Sequence, residues 1–177
     1  MKPIIPVLLI ALSGYVSAAN LQPCAFTPKQ TEQNPYPEIE LFHHCASYQN
    51  KHLEISDKHW SKLNFNENQL TTLFTQGQYF YLKPDRSYLS VITYDNGADY
   101  FQEGLTRSLL NGKIAFYNHD FELVLATDFD WAWPFQDGVA RVCRGCVVTQ
   151  VNEEHTGLTC GVWGYIDKQG NMIEPLN

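Results

Sequence analysis

The residues with the most chemical character in this chain are Cys143, Cys146, His155 and Cys160. They follow one another as Cys-Arg-Gly-Cys, then His after eight residues and Cys after four more. Three thiols and one imidazole are the ligand types that tetrahedral zinc prefers, so the set forms a candidate metal site. The Cys-x-x-Cys half, with Arg144 beside the thiols to favour a thiolate, also has the form of a redox pair. The third chemistry is structural. A bridge between two of Cys143, Cys146 and Cys160 would staple the segment and contribute about 2–4 kcal/mol. Cys24 and Cys45 form a further candidate pair, and five cysteines leave at least one thiol free, metal-bound or joined to another chain.

The compartment weighs among these three. Lys2, the apolar run from Ile4 to Ser13 and the small residues Val16-Ser17-Ala18-Ala19 read as a secretory signal peptide over residues 1–19. The run is well short of the ~20 residues needed to span a bilayer. The expected mature protein is therefore periplasmic or extracellular and does not span the membrane. Disulfides are the default there, which favours the staple over zinc or thiol exchange. A redox Cys-x-x-Cys also usually opens a helix in a βαβ setting, and no such pattern surrounds this one.

Other chemistries find little support. The formal charge is −7 with no Lys/Arg cluster, which argues against nucleic-acid binding dominated by phosphates. There is no Ser/His/Asp set, phosphate-binding glycine loop or His-Glu-x-x-His. Glu153 and Glu154 sit in a polar loop with no sign of the burial that general acid–base work needs. His43 and His44, beside Cys45, would point to opposite faces of a strand and so would not share a metal. Residues 128–135, Asp-Phe-Asp-Trp-Ala-Trp-Pro-Phe, interleave carboxylates with rings. Such a surface can stack on a sugar or a peptide. The plainer reading places Phe129, Trp133 and Phe135 in the core, with the aspartates capping turns. No cofactor is expected apart from the zinc alternative.

The elements that must position these residues are mostly β. Residues 20–37, rich in Pro, Gln, Asn and Thr, read as an extended lead-in without periodicity. A strand over 38–48, a turn at 49–51 and a second strand over His52–Ile55 form an expected hairpin. Ser56 is the expected N-cap of a short helix from Asp57 to Leu63, with Trp60 and Leu63 facing the core. From residue 64 onward the chain repeats itself about every 35 residues, and residues 20–63 would cap one end of that repeat array. Phe101-Gln102-Glu103-Gly104 returns as Phe135-Gln136-Asp137-Gly138, and Asn68-Gln69 stands in for Glu103-Gly104 in an earlier copy. Gly77, Gly112 and Gly161 each open a run of variable, large apolar, variable, aromatic and apolar residues that ends in a polar turn. The third run, Trp163-Gly164-Tyr165-Ile166-Asp167-Lys168-Gln169-Gly170, is the clearest hairpin half. Gly104 to Ala115 spans 11 positions, whereas Gly138 to Gly164 spans 26, so the third copy carries a 15-residue insertion between about Cys143 and Cys160. Stacking would put Tyr79, Ile114 and Trp163 in one equivalent core position and Tyr81, Phe116 and Tyr165 in another.

These landmarks resemble the WG-repeat family, whose pattern is Phe-x-x-Gly followed by Trp-Gly-Tyr-Ile-Asp-x-x-Gly. The third copy matches closely. The second has Ile114-Ala115 for Trp-Gly and Phe121 for the turn glycine, and the first has Tyr79-Phe80 for Trp-Gly. The resemblance implies tandem β-hairpin repeats over about Phe65–Pro175 and implies no particular chemistry. Together the signal, the repeats and the missing catalytic set point to an exported scaffold or binding module of the cell envelope, more a binder than an enzyme. Its expected partner is a protein or an envelope glycan. The alternative is an envelope metal-binding or thiol-redox protein that uses Cys143, Cys146 and Cys160.

Overall fold

The computed structural model describes residues 21–150, 156–159 and 161–177. The expected signal peptide, Glu153, Glu154, His155 and Cys160 lie outside the described residues. The described residues are mostly β, as their alternating patterns predict, with one single-turn helix among them.

The first sheet has six antiparallel strands. It is built from β1 (Gln22–Phe26), β2 (Glu40–Gln49) and β3 (His52–Ile55), then, after helix α1 (Asp57–Trp60), from β4 (Thr71–Thr75), β5 (Gln78–Leu82) and β6 (Tyr88–Val91). The order across it is β3-β2-β1-β4-β5-β6. Part of the expected lead-in is therefore an inner strand: β1 pairs with β2 on one side and β4 on the other. Its periodicity is short and its flanks are polar, so the strand is set by tertiary pairing more than by local pattern. The helix is shorter than expected. Ser56 stands at its N-cap in an extended conformation, but its hydroxyl meets His59 Nδ1 at 2.7 Å instead of capping the backbone. The expected regular strand through His43 and His44 is also interrupted. The register shifts there and His44 takes φ 53°, so the pair sits on a bulge, exposed, rather than on alternating faces.

The second part continues with the short pair β7 (Thr93–Tyr94) and β8 (Gly97–Ala98). Strands β9 (Thr106–Leu110), β10 (Lys113–Tyr117) and β11 (Leu123–Ala126) then make a three-stranded sheet. Strands β12 (Trp131–Ala132) and β13 (Val139–Arg144) come after it. The hairpin β14 (Val147–Gln150) and β15 (Thr156–Thr159) is next, and β16 (Val162–Asp167) and β17 (Met172–Glu174) end the chain of elements. The repeated unit is thus a three-stranded meander rather than a bare hairpin, seen as β4-β5-β6, β9-β10-β11 and β13-β16-β17.

Matching turns explain the sequence landmarks. Glu103 (φ 52°) and Gly104 (φ 82°) form a two-residue turn closed by reciprocal bonds between Gln102 and Leu105, and Asp137 (φ 52°) and Gly138 (φ 77°) repeat it between Gln136 and Val139. Both φ values are positive, which is why the motif ends in glycine. The later turn also recurs. Lys83, Asn118 and Asp167 each accept from the N–H three residues on and donate to the carbonyl four residues on. The third residue past each of them is left-handed: Arg86 (φ 70°), Phe121 (φ 63°) and Gly170 (φ 85°). The degenerate copies thus keep the backbone while lacking the glycine.

Side-chain parity departs from the expected stacking. Phe80 and Leu82 in β5, and Gly164 and Ile166 in β16, face inward, so Tyr79, Tyr81, Trp163 and Tyr165 point the other way and are only partly buried or exposed. In the central strand of the middle repeat both faces are covered, with Ile114, Ala115 and Phe116 all fully buried. Two apolar clusters result. One gathers Phe26, Leu63, Leu73, Phe80 and Leu82, and the other gathers Ile114, Phe116, Phe135, Val142 and Ile166.

Candidate functional site

The outward rings of the last repeat do not stand alone. In β13 and β16, Arg141 lies opposite Tyr165 and Cys143 opposite Trp163. The Arg141 guanidinium sits 4.2 Å from the Trp163 ring centre and 5.9 Å from that of Trp133. Trp133 meets Trp163 edge-on at 5.2 Å and Trp131 at 5.8 Å. Tyr94 meets Tyr100 edge-on at 5.5 Å. Burial and the neighbouring Tyr94 push the Tyr100 hydroxyl up from its ordinary pKa. These rings line two adjoining grooves that share Tyr94 and Trp133. One, of about 480 Å³, runs past Tyr100, Gln102, Gln136, Arg141 and Tyr165. The other, of about 450 Å³, runs beneath the insertion hairpin, past Trp131, Val148, Leu158 and Trp163. Grooves of this size with aromatic walls and a few polar groups suit small-molecule or oligomeric ligands.

The plain reading of residues 128–135 therefore holds for Phe129 and Phe135, which are buried, and fails for Trp133, which is a half-buried wall of both grooves. The aspartates make long-range ties to other strands. Asp130 accepts from the Gly145 N–H at 2.6 Å and from Lys113 Nζ at 2.6 Å, and Asp128 pairs with Arg144. The hydrogen bonds to Arg144 and Lys113 hold the Asp128 and Asp130 carboxyls, respectively, below the usual range. Both aspartates thereby anchor the root of the insertion.

That insertion grows from a hairpin tip. Leu110 and Lys113 are paired with only Asn111 and Gly112 between them, whereas the pair Arg144 and Val162 encloses residues 145–161. The difference is the 15 residues read from the sequence. The neck is tight, since a Cβ at Gly161 would collide with the Arg144 carbonyl and lie 2.6 Å from Cys143 Sγ. Cys143 and Cys146 are bridged across the neck with Cα atoms 5.9 Å apart, and Cys24 and Cys45 are bridged between β1 and β2 at 5.5 Å. In bridged form neither Cys143 nor Cys146 offers a thiolate to a metal. No group of three or more metal-ligating side chains occurs among the described residues.

A polar centre that the sequence did not announce lies at Asp99 and Arg107. Asp99 and Arg107 are each 1% exposed. Arg107 donates to Asp99 through Nε (3.1 Å), through its backbone N–H (2.6 Å) and through a guanidinium nitrogen, and to the Ala132 carbonyl at 2.6 Å. Thr106 Oγ1 donates to the Asp99 carboxylate at 3.2 Å, and the Tyr81 hydroxyl donates to the Asp99 carbonyl at 2.9 Å. Tyr94 and Trp131 flank the Arg107 guanidinium at 4.5 and 5.6 Å. The network thus joins side chains or backbone of all three repeats behind the aromatic wall. No periodic pattern marks a buried charge pair, so only its aromatic neighbours in sequence could have hinted at it.

The WG containing repeat family matches residues 115–145 and 163–175. The chain carries WG-type repeats. The break in the match, residues 146–162, coincides with the insertion hairpin. The WG pair itself is explained by packing. A Cβ on Gly164 would lie 2.7 Å from the Glu174 carbonyl, so β17 crosses too close for any side chain there. Trp163 meanwhile turns outward into the groove beneath the insertion hairpin. No curated protein and no solved structure shows significant similarity to the chain.

Proposed function

We propose that this chain is an exported, non-enzymatic binding module of the cell envelope, and that its ligand lies in the aromatic grooves of the second and third repeats. The observation that carries this reading is the grouping of Tyr94, Tyr100, Trp133, Trp163 and Tyr165 around Arg141, with the insertion hairpin alongside. Aromatic walls with few polar groups gain binding energy from burying ring faces and set orientation through the polar ones. The two bridged cysteine pairs and the leader-like N-terminus support an oxidising compartment. No helix among the described residues is long and apolar enough to cross a membrane. The continuous sheet formed by β1–β3 with the first repeat supports a capping role for residues 20–63.

The test is tryptophan fluorescence of the purified protein titrated with fractionated envelope glycans and proteins. Trp133→Ala and Trp163→Ala should abolish the response while leaving the far-UV circular dichroism intact. A ligand whose affinity ignores both changes sinks the groove reading. A second reading, thiol exchange at Cys143–Cys146, draws on the bridge across a Cys-x-x-Cys. It expects insulin reduction to be catalysed by the wild type and lost in Cys143→Ser. Absence of catalysis in the wild type removes it.

A further inference from the structure

The four arginines of the chain, Arg86, Arg107, Arg141 and Arg144, are not used alike. Arg86 pairs with Asp57 at 2.6 Å, Arg107 with Asp99 and Arg144 with Asp128. Arg141 alone pairs with no carboxylate among the described residues, in a chain of net charge −7. Its guanidinium is instead held over the Trp163 ring and beside Trp133, and its N–H groups make no hydrogen bond among the described residues. A positioned, unpaired guanidinium at the wall of a groove is built for an anion, and its fork matches a carboxylate.

The rest of that groove narrows the class. Gln102, Gln136 and Asp137 line it, and their side chains make no hydrogen bond among the described residues. Tyr100 and Tyr165 present rings that are 46% and 36% exposed. Asp137 would repel a densely anionic ligand such as a polyphosphate but would accept from a hydroxyl. Amides and a carboxylate for hydroxyls, ring faces for the apolar side of a pyranose and one guanidinium for a carboxylate together describe an acidic sugar.

We propose that the groove binds an acidic glycan of the uronic type. Arg141 takes a sugar carboxylate, Tyr100, Trp133 and Tyr165 take the ring faces, and Gln102, Gln136 and Asp137 take hydroxyls. This rests on the groove reading above and specifies its ligand class.

The experiment titrates the full mature protein with oligogalacturonate, with the same oligosaccharide after carboxyl reduction and with a peptide bearing a free C-terminal carboxylate. Binding is followed by calorimetry. The expected result is that carboxyl reduction weakens binding at least tenfold. Arg141→Gln should weaken the acidic form at least tenfold and remove most of the preference for the acidic over the reduced sugar. Arg141→Lys, which keeps the charge without the fork, should fall between. Equal affinity for acidic and reduced sugars, or an Arg141→Gln protein that keeps most of its preference for the acidic form, overturns the assignment of Arg141. Binding of the peptide alone, lost in Trp133→Ala, overturns the sugar while leaving the groove in place. Sugar binding that survives Trp133→Ala and Trp163→Ala overturns the groove as well.

Discussion

The buried pair Asp99–Arg107 gives the sharpest test of how the repeats are held together. Asp99→Ala would leave the Arg107 guanidinium, 1% exposed, with the Ala132 carbonyl as its one remaining hydrogen-bond acceptor. Removing one partner of a buried ion pair costs about 3–5 kcal/mol because the other charge stays behind uncompensated. Whole domains are stable by roughly 5–15 kcal/mol, so this is a large share of the total. For a chain of this size each kcal/mol moves Tm by about 2–4 °C, which predicts a fall of about 6–20 °C. The assay is urea unfolding followed by tryptophan fluorescence, with the disulfides kept oxidised. Arg107→Leu should cost a comparable amount, and the double variant should recover much of the loss because no orphaned charge remains. Single variants within about 1 kcal/mol of wild type, or strictly additive costs, would show that the pair is not coupled and that the apolar clusters alone join the repeats.

Four further expectations rest on named contacts. Gly164→Ala forces a Cβ to within 2.7 Å of the Glu174 carbonyl and should cost about 1–3 kcal/mol by the same unfolding assay, as overpacking does. Burial, and then the Asp99 charge, push the Tyr81 hydroxyl up to about 12. The Tyr81 contribution should therefore be full below about pH 10 and be lost as pH rises toward 12; Tyr81→Phe should show a shallower alkaline decline, and an unchanged profile would refute the assignment. The Glu103 carboxyl is held below its usual range chiefly by the hydrogen bond from Lys168, and then by that from the Gly138 N–H. Its contribution is present above the ordinary glutamate pKa and is lost as pH falls through the folded value, so Glu103→Gln should show a shallower acid decline in a pH-dependent melt. Intact mass before and after reduction should reveal two disulfides and one free thiol, and reduction should lower stability mainly through Cys24–Cys45, whose residues are 21 apart against 3 for Cys143–Cys146.

The repeat was legible because its turns need special backbone geometry, and geometry restricts residue choice. Gly104, Gly138 and Gly170 could be found without a structure for that reason. The positions of Arg86 and Phe121 could be aligned but not understood, since a left-handed arginine or phenylalanine depends on its neighbours. Arg86 lies 4.7 Å from the Trp60 ring centre and Lys83 lies 5.0 Å from that of Phe121, contacts made across segments distant in sequence. The insertion length was readable because it is a difference between copies. Pattern could not give parity: alternation shows that a strand has two faces, but which face is covered depends on the neighbouring repeat. That is why Trp163 and Tyr165 read as core and stand in a groove. The partnerless state of Arg141 was equally hidden, because it depends on where every carboxylate lies.

The segment 145–161, a two-residue turn enlarged by 15 residues, extends a ladder that is complete without it, leaving β13 and β16 paired from Val139 to Arg144 and from Val162 to Asp167. Selection can therefore rewrite this finger without disturbing the meander beneath it. Since Val148 and Leu158 of the finger border the groove that Trp163 enters, such rewriting would change what the groove admits. The same seam is a natural graft point. A two-residue Asn-Gly link between Arg144 and Val162 would convert the third repeat to the plain form of the second, and a library of fingers at that place would give a family of binders on one unchanged frame.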